Sequence, residues 1–250
     1  MDFLEAERRL LTLSRSPDDV PLIQVRGVTR SYRSDVETVW AARDVDFVAY
    51  PGDFVCVFGA SGSGKSTLLN LLAGLDFAEA GEIQVGNVDV RKADEKERAR
   101  LRLHTVGMVF QDHQLIEEFT AVENVALPAE ALGASASAAR EEAMRRLARV
   151  GLTGLEDRLP GQMSGGQRQR VGMARALMGD REILLGDEPT GSLDSESTLG
   201  LFKTIRTLCD EGTLAVICSH DARCQAFADV CFEMVDGRLI PQGPDGGRTA

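Results

Sequence analysis

The stretch FVCVFGASGSGKSTLLN, residues 54–70, combines a short apolar run, a glycine-rich turn and the beginning of a second apolar segment. The five apolar residues at 54–58 predict a strand that is buried on both faces. The leucines that follow Lys65 predict a helix with one apolar side. A strand, a glycine-rich turn and a helix in this order form the setting in which the pattern G-x-x-x-x-G-K-[ST] binds phosphate.

Each part of this stretch suits the binding of a polyphosphate. Glycines let the backbone curl so that successive N–H groups point at an anion, and the helix N-terminus adds partial positive charge. Lys65 can reach the β- and γ-phosphates, and the hydroxyl of Ser66 can ligate Mg²⁺. A flexible turn is the alternative, but it does not require a strand before it and a helix after it. The phosphate-binding residues predicted in this way are Gly59, Ala60, Ser61, Gly62, Ser63, Gly64, Lys65, Ser66 and Thr67.

Composition and charge narrow the classes of function. A chain of 250 residues fits one large domain or one core with an inserted lobe. The net charge of −11 argues against a general binder of nucleic acid or of anionic membranes. No apolar run approaches the roughly 18 residues that span a bilayer, and charged residues interrupt the N-terminus, so no signal peptide is expected. The sequence therefore predicts a protein of the cytoplasm, free or docked to a membrane through a partner.

The chain divides into segments with different patterns. Residues 1–21 form an N-terminal extension, either a loosely docked terminal helix or an element that docks a partner. Short strand-like runs at 22–57 and 81–90 predict an antiparallel sheet beside the phosphate loop. Residues from about 112 to 180 predict a helical lobe inserted between strands. Within that lobe, one apolar helix face is predicted at Met144, Leu147 and Val150.

Four short apolar runs are each followed by polar residues. Three of them, at 106–110, 183–186 and 214–218, alternate with helical patterns. Together with the run before the phosphate loop, they predict a parallel sheet covered on both faces. Ligands of such sheets bind at the carboxyl ends of the strands. The sequence therefore predicts that one side of the sheet gathers the residues at the four strand ends, Gly59, Gln111, Asp187 and His220.

The side chains at these strand ends match the needs of phosphoryl transfer. Asp187 can offset the charge of Mg²⁺, and Glu188 can hold the water that attacks the γ-phosphorus. Gln111 can ligate Mg²⁺ through its amide oxygen, and His220 can hydrogen-bond the γ-phosphate. Each residue taken alone is more often structural or exposed, so the assignment depends on their lying together with the phosphate loop. We predict the catalytic residues Glu188, His220, Gln111 and Lys65, and the metal ligands Ser66, Gln111 and Asp187.

A second glycine-containing helix start follows further along the chain. Residues 163–167, Met-Ser-Gly-Gly-Gln, precede a helical pattern, so Ser164 and the two glycines lie at a helix N-terminus that can bind an anion. The helical lobe carries this end away from the phosphate loop. A second copy of the chain, related by two-fold symmetry, could supply it to the nucleotide. The alternative is an ordinary helix start.

In order and spacing, these motifs resemble those of the ATPase subunits of ATP-binding-cassette (ABC) transporters, over about residues 22–240. The matching motifs are GASGSGKST at 59–67, VFQ ending at Gln111, MSGGQ at 163–167, ILLGDE at 183–188, SLD at 192–194 and SHD at 219–221. Met163 and Gly186 stand where the family usually has leucine and alanine. Both changes leave every charged group of the motifs in place.

The resemblance implies a fold and further binding residues. The fold class is α/β, a RecA-like P-loop NTPase core with an antiparallel β lobe and an inserted α-helical lobe, within an ATPase domain at 22–247. Tyr32 resembles the aromatic residue that stacks on adenine. Two copies are expected to sandwich two ATP–Mg²⁺ head to tail, closing when ATP binds and reopening after hydrolysis. The further residues expected to bind the cofactor are Ser164, Gly165, Gly166, Gln167 and Asp194.

Three segments, at 68–76, 120–128 and 187–195, are similar to the lipoprotein-release and macrolide-export subfamily. This similarity implies a separate transmembrane permease subunit and a peripheral position on the cytoplasmic side of the membrane. It also implies that ATP drives export or mechanotransmission. The alternative within the family is a non-transport ATPase, such as a cell-division regulator that acts through a membrane partner.

Two further alternatives are open at the level of sequence. One is a cassette ATPase that acts on DNA or ribosomes. Such chains usually have two cassettes or a long coiled-coil insert, and the acidic charge disfavours a nucleic-acid partner. The other is a nucleotide-gated scaffold with little turnover, which Glu188 and His220 disfavour.

Overall fold

The structure, a computed structural model, describes residues 20–33, 37–179, 181–191 and 193–242. The predictions outside these ranges concern residues 1–19 of the N-terminal extension, Ser192 of the SLD motif and the domain end at 243–247. The strands are β1 (Ile23–Arg33), β2 (Thr38–Ala49), β3 (Phe54–Phe58), β4 (Ala80–Val85), β5 (Val88–Asp89), β6 (Val106–Phe110), β7 (Ile183–Asp187), β8 (Leu214–Cys218), β9 (Val230–Val235) and β10 (Arg238–Gln242). The α-helices are α1 (Lys65–Leu72), α2 (Glu95–His104), α3 (Ala121–Ala131), α4 (Ala136–Arg149), α5 (Gly165–Ala176) and α6 (Ser195–Asp210). Within the described ranges, no helix combines the length and apolar content needed to cross a bilayer.

A six-stranded sheet forms the centre of the fold, with the strand order β10-β9-β3-β8-β7-β6. Strands β9, β3, β8, β7 and β6 are parallel, and β10 pairs antiparallel at one edge. The strands predicted at 54–58, 106–110, 183–186 and 214–218 are confirmed, and β7 extends one residue further to Asp187. Because these four strands are parallel neighbours, their carboxyl ends lie side by side.

Side chains on the two faces of this sheet belong to two hydrophobic cores. In β3, Phe54 and Cys56 pack with residues of helices α3 to α6, whereas Val55 and Val57 pack with α1 and the antiparallel strands. The division follows from the period of two along a strand, because successive side chains point to opposite faces. An uninterrupted apolar run is therefore the sequence signature of a strand that lies between two cores.

A four-stranded antiparallel sheet, with the order β2-β1-β4-β5, confirms the antiparallel sheet predicted beside the phosphate loop. Residues 54–57, at the end of the predicted segment 22–57, belong instead to β3 of the central sheet. Strand β1 extends to Arg33, and its pairing with β2 places Tyr32 opposite Val39. Phe47 of β2 contacts Phe232 of β9 edge to face, with ring centroids 5.5 Å apart. This aromatic pair joins the antiparallel sheet to the central one.

The hairpin of β9 and β10 has no counterpart among the predicted strands. Its turn, Asp236-Gly237, has positive φ angles of 48° and 77°. An Asp-Gly pair between two strand-like runs is a strong hairpin signal, because both central residues of a type I′ turn need positive φ. The signal is therefore present in the sequence, and the parallel pairing of β9 with β3 gives the hairpin its place in the central sheet.

Three helices, α3, α4 and α5, lie between β6 and β7, in the segment predicted as a helical lobe. Thr120 caps α3 in a reciprocal arrangement with Glu123. The apolar face predicted for α4 is confirmed at Leu147 and Val150 but is wrong at Met144, which is 44 % exposed. Hydrophobicity favours methionine for this face, but the helix instead buries two small alanines and an arginine that is ion-paired with Glu142. The buried residues of α4 are Ala139, Ala143, Arg146 and Leu147.

Candidate nucleotide-binding site

An open cleft of about 790 Å³ lies at the carboxyl ends of β3, β6, β7 and β8. The predicted residues that line it are Tyr32, Gly59, Ala60, Ser61, Gly62, Gly64, Lys65, Ser66, Thr67, Gln111, Asp187, Glu188 and His220. Ser63 is instead buried, and its backbone oxygen accepts a hydrogen bond from Gly237 at 3.0 Å. The structure therefore brings the glycine-rich turn and the predicted strand-end residues together around one space.

The phosphate loop rests on the backbone of two other elements. A side chain on Gly59 would meet the backbone oxygen of Met234 in β9 at 2.3 Å. One on Gly64 would meet the backbone oxygen of Ala41 in β2 at 1.9 Å. Both glycines also have positive φ angles, 154° and 112°. Glycine is therefore required at these two positions for close approach and for backbone conformation.

Helix α1 begins at this loop without a side-chain cap. Its N-cap residue is Gly64, which has no side chain that could cap the first N–H groups. The first helical residues, 65–67, line the cleft. Each of the other five α-helices in the described ranges is capped by a side chain, from Asp94, Thr120, Ser135, Ser164 and Asp194. Free N–H groups and partial positive charge at a helix N-terminus attract an anion. The uncapped helix thus lies where the sequence predicts phosphate.

Lys65 is almost fully buried and lies against the loop that precedes it. Its Nζ donates hydrogen bonds to the backbone oxygens of Gly59 at 2.9 Å and Ala60 at 3.0 Å. The same atom lies 3.5 Å from Oε1 of Glu188. A buried ammonium needs such partners because desolvation penalises its charge. The lysine is therefore held where the loop and the end of β7 meet.

Glu188 lies between Lys65 and His220. Its Oε2 accepts a hydrogen bond from the backbone N–H of His220 at 3.0 Å and lies 2.8 Å from Nδ1 of the same residue. Glu188 has a positive φ of 47°, a conformation that is costly for a non-glycine residue and is concentrated at functional sites. Its backbone N–H donates to the oxygen of Cys218 at 2.9 Å. Contacts of its carboxylate with Lys65 and His220, and of its backbone with Cys218, therefore fix Glu188 beside the cleft.

Asp187 and its neighbours fit a divalent cation. Oδ1 of Asp187 is buried and has no hydrogen-bond partner among the residues that the structure describes. Burial raises the pKa of this carboxyl, and the negative charge of Glu188 raises it further. The hydrogen bond from Ser66 and the positive charge of Lys65 lower the pKa, but they offset the rise only in part. A cation relieves both conditions by binding the unpaired oxygen, directly or through water. Hydroxyl, amide and carboxylate oxygens are ligands that Mg²⁺ prefers, and they are available on Ser66, Gln111 and Asp187.

The segment around Gln111 is clamped to helix α5, a feature that sequence reasoning missed. Nδ1 of buried His113 pairs with Oε1 of buried Gln169, whose Nε2 donates to the backbone oxygen of Phe110 at 3.3 Å. Burial lowers the pKa of His113, which favours the neutral ring in this contact. Arg175 donates to the backbone oxygens of His113 and of the next residue, at 2.9 and 2.6 Å. Because both flanks of Gln111 bond to α5, its position depends on that helix.

Other lining residues were also not predicted. They are Val39, Ala41, Phe110, Asp112 and Gln114. Val39 follows from strand register once Tyr32 is assigned, because the two residues are opposite each other in the β1–β2 pair.

The side chain of Gln111 lies against the backbone of Gly191. A Cβ added to Gly191 would be 2.9 Å from Nε2 of Gln111. No periodic pattern in the sequence marks that contact.

The remaining predicted cofactor-binding residues do not line the cleft. The hydroxyl of Ser164 accepts from the N–H of Gln167, whose Oε1 accepts from the N–H of Ser164 at 2.9 Å. Asp194 caps α6 by accepting from the N–H of Ser197 at 2.8 Å. The starts of α5 and α6 touch, since a side chain on Gly166 would lie 3.0 Å from Oγ of Ser197. We name this group the signature patch; it comprises Ser164, Gly165, Gly166, Gln167 and Asp194.

A protein-family profile described as "ABC transporter" matches residues 42–191, more than half of the chain. Among curated proteins, "Macrolide export ATP-binding/permease protein MacB" of Photorhabdus laumondii subsp. laumondii is 40 % identical over 222 residues. The alignment covers 88 % of this chain and 34 % of that protein. The chain thus spans about a third of the length of the curated relatives that it matches.

Two solved structures share the fold of this chain. "Dimeric Structure of MJ0796, a Bacterial ABC Transporter Cassette" is 34 % identical with a TM-score of 0.83, over 90 % of this chain and 100 % of that chain. A second MJ0796 structure, described as a dimeric post-hydrolysis state bound to ADP and Pi, is 32 % identical with a TM-score of 0.83 and the same coverage. The match confirms the predicted α/β fold class with a RecA-like P-loop core.

Proposed function

The chain belongs to the ABC transporter family, and we propose that it is the ATP-binding and ATP-hydrolysing subunit that powers a separate membrane subunit. The observation that carries this proposal is the convergence of the uncapped start of α1, Lys65, Asp187 and Glu188 on one cleft. Phosphoryl transfer asks mainly for positioning and for neutralisation of charge, and these groups supply both.

Each residue of the cleft has a distinct proposed role. The backbone N–H groups of the phosphate loop and the ammonium of Lys65 bind the phosphates. Lys65 exchanges its contact with Glu188 for a γ-phosphate oxygen, which frees Oε1 of Glu188 to orient water. His220 holds the other oxygen of Glu188 and contacts the γ-phosphate. Mg²⁺ neutralises phosphate charge when it is bound, and the residues proposed to hold it are Ser66, Gln111 and Asp187.

We propose further that two chains close head to tail around two nucleotides, with the signature patch of each chain against the nucleotide of the other. The patch lies outside the chain's own cleft, and its Ser164 and Asp194 are exposed. Its helix N-terminus and two glycines suit close approach to an anion. MJ0796, to which the chain is similar, is described as dimeric.

The proposed ATPase domain comprises residues 22–247, with the helical lobe at about 112–180 and the extension at 1–21.

A transmembrane permease is the proposed partner, and a peripheral position on the cytoplasmic side of the membrane follows from that partnership. Support comes from the MacB relatives, which are described as ATP-binding/permease proteins and of which this chain matches about a third. The net charge of −11 is the reason that no nucleic-acid partner is proposed. Mass spectrometry of proteins that co-purify with the tagged chain tests this. A multispanning permease supports transport, a cell-division membrane protein supports the regulator, and ribosomes contradict both.

Glu188→Gln tests the proposed hydrolysis. The amide keeps the size of the side chain but removes the charge that orients water, so turnover should fall by about 100-fold or more while ATP binding persists. Phosphate release measures turnover, calorimetry measures binding, and light scattering with ATP should show a trapped dimer. Glu182→Gln is the matched control, because Glu182 is an exposed glutamate just before β7. Parental turnover in the Glu188 variant would assign the water to another residue.

A further inference from the structure

Two side chains hold the ring of Tyr32 at one end of the cleft. The hydroxyl of Tyr32 donates a hydrogen bond to Oδ2 of Asp76 at 2.5 Å. The guanidinium carbon of Arg30 lies 4.6 Å from the centre of the ring, within the range of a cation–π contact. Arg30 also binds both oxygens of Asp76, with Nε–Oδ2 at 3.0 Å and Nη2–Oδ1 at 2.8 Å. Such bidentate pairing fixes orientation as well as distance.

The ring is thus fixed at its hydroxyl and on one face, yet Tyr32 remains 44 % exposed and lines the cleft. Because Arg30 covers one face, the other face is the one left for a planar ligand. An aromatic side chain that is free to rotate loses conformational freedom when a ligand stacks on it. A ring that is held in advance avoids this loss, which strengthens stacking without any new contact to the ligand.

Asp76 belongs to the segment that leaves the helix of the phosphate loop. Helix α1 begins at Lys65, and the N–H groups of Leu75 and Asp76 both donate to the backbone oxygen of Asn70, at 2.8 and 3.3 Å. Asp76 is therefore tied to the C-terminal end of the helix whose N-terminal end faces the phosphates. A helix of this length measures about 12 Å, so it sets the separation between the phosphate loop and the anchor of the ring.

A second set of hydrogen bonds joins β1 to the segment that follows α1. The carboxylate of Glu79 accepts hydrogen bonds from the backbone N–H and the hydroxyl of Ser31, both at 3.0 Å, next to Tyr32 in β1. Burial alone acts to raise the pKa of Asp76, but hydrogen bonds from Tyr32, from the N–H of Phe77 and from Arg30 lower that pKa below its usual value. Asp76 is therefore a charged acceptor at neutral pH, the state that this network requires.

We propose that Asp76 and Arg30 are positioning residues that hold Tyr32 as a preformed platform for the nucleotide base, at a separation from the phosphate loop set by α1. The proposal rests on the proposed function, because a base reaches Tyr32 only when a nucleotide binds in the cleft. It predicts that the network acts on the base end of the ligand and leaves binding of the phosphates unchanged.

The test compares a ligand that has a base with one that lacks it. ADP and pyrophosphate, each with Mg²⁺, are titrated calorimetrically into the full chain and its variants, since neither ligand is turned over. Tyr32→Ala should weaken ADP binding about tenfold, the usual scale of one lost base–aromatic stack. Asp76→Ala should weaken ADP binding about threefold to tenfold, and neither variant should change pyrophosphate binding. Asp76→Asn keeps an acceptor for the hydroxyl and should lie between the parent and Asp76→Ala.

A double-mutant cycle separates positioning from a general structural effect. In a Tyr32→Ala background, Asp76→Ala should cause no further loss of ADP affinity, because its effect passes through the ring. Asp157→Ala removes an exposed aspartate that is likewise ion-paired with an arginine, Arg140, and should match the parent.

Three outcomes overturn the proposal. One is an equal loss of ADP and pyrophosphate binding in Asp76→Ala, which would mean that Asp76 stabilises the site as a whole. The second is that Asp76→Ala weakens ADP binding as much in the Tyr32→Ala background as it does in the parent. The third is equal affinity of the parent for the two ligands, which removes the base platform but leaves phosphate binding intact. A parent that binds neither ligand would instead remove the proposed function, and this proposal with it.

Discussion

At Asp187, burial favours the neutral carboxylic acid, whereas binding of a cation requires the charged carboxylate. Because the pKa is higher in the folded chain than its ordinary value of 3.8, this group favours folding at low pH. That contribution declines as the pH rises above 3.8 and is lost once the pH passes the raised folded pKa. Above that point, the charged carboxylate opposes folding until a cation binds it.

Asp187→Asn should therefore stabilise the chain in the absence of ligand and remove its response to Mg²⁺-nucleotide. Without the buried charge, Tm should rise by about 2 °C or more, since a gain of about 1 kcal/mol shifts Tm by 2–4 °C at this size. In the parent, Mg²⁺ with ADP should raise Tm, and in the variant this increase should disappear. Thermal unfolding by circular dichroism measures both. Asp210→Asn, at an exposed aspartate paired with Arg206, is the control, and a lower Tm in Asp187→Asn would contradict the argument.

At the scale of elements, the strands between two cores were the most predictable. An apolar run such as 214–218 has few other interpretations when polar residues follow it. The predicted face of α4 failed at Met144, because hydrophobicity does not reveal which side a lobe packs on. The β9–β10 hairpin was missed although its Asp236-Gly237 turn was readable, since its parallel partner β3 lies far away in the chain.

The position of the candidate site was predictable from the sequence because it follows from the parallel sheet. A parallel sheet gathers its strand ends, so Asp187 and His220 could be placed beside the phosphate loop from order alone. The clamp on Gln111 could not be predicted, because His113 and Gln169 are 56 residues apart and meet only after α5 packs on β6. Residues such as Gln169 look like the polar side of an amphipathic helix until the fold buries them.

Gln169→Leu tests whether this clamp controls the position of Gln111. The substitution keeps about the same volume but removes the partner of the His113 ring, at a cost of about 1–3 kcal/mol for an unpaired buried group. It also removes one of two hydrogen bonds to the oxygen of Phe110, which still accepts from the N–H of His113. We expect a lower Tm and a fall in ATP turnover that exceeds any loss of ADP affinity. Gln162→Leu is the matched control, because Gln162 is exposed and its side chain accepts a hydrogen bond from the nearby N–H of Leu159. Unchanged turnover together with a lowered Tm would show that the clamp is structural alone.

At the scale of the whole molecule, the chain presents two separate surfaces for one proposed reaction. The cleft holds the phosphate loop and the strand-end carboxylates, whereas the signature patch lies at the touching starts of α5 and α6. In the proposed dimer each surface is half of a site. A change confined to the patch should therefore affect turnover without affecting the first binding step.

Ser164→Arg should abolish ATP hydrolysis while leaving nucleotide affinity of the single chain within about twofold of the parent. The long cation at an exposed position blocks approach of a second chain, and loss of the helix cap costs about 1 kcal/mol, less than the whole stability. Turnover and ADP titration are the measurements. Ser135→Arg is a closely matched control, because Ser135 is also exposed and caps α4 through the same type of bond. Loss of ADP binding in Ser164→Arg would mean that the patch acts within its own chain.

The backbone beneath the phosphate loop comes from late in the chain, since Met234 and Gly237 follow Gly59 by about 180 residues. A ribosome that adds about 5–20 residues per second makes the loop roughly 10–35 s before it makes this support. Throughout that interval the nascent loop lacks the part of its support that Met234 and Gly237 supply, whereas Ala41 of β2 has already been made. The complete backbone support of the phosphate loop therefore forms only after synthesis has passed Gly237.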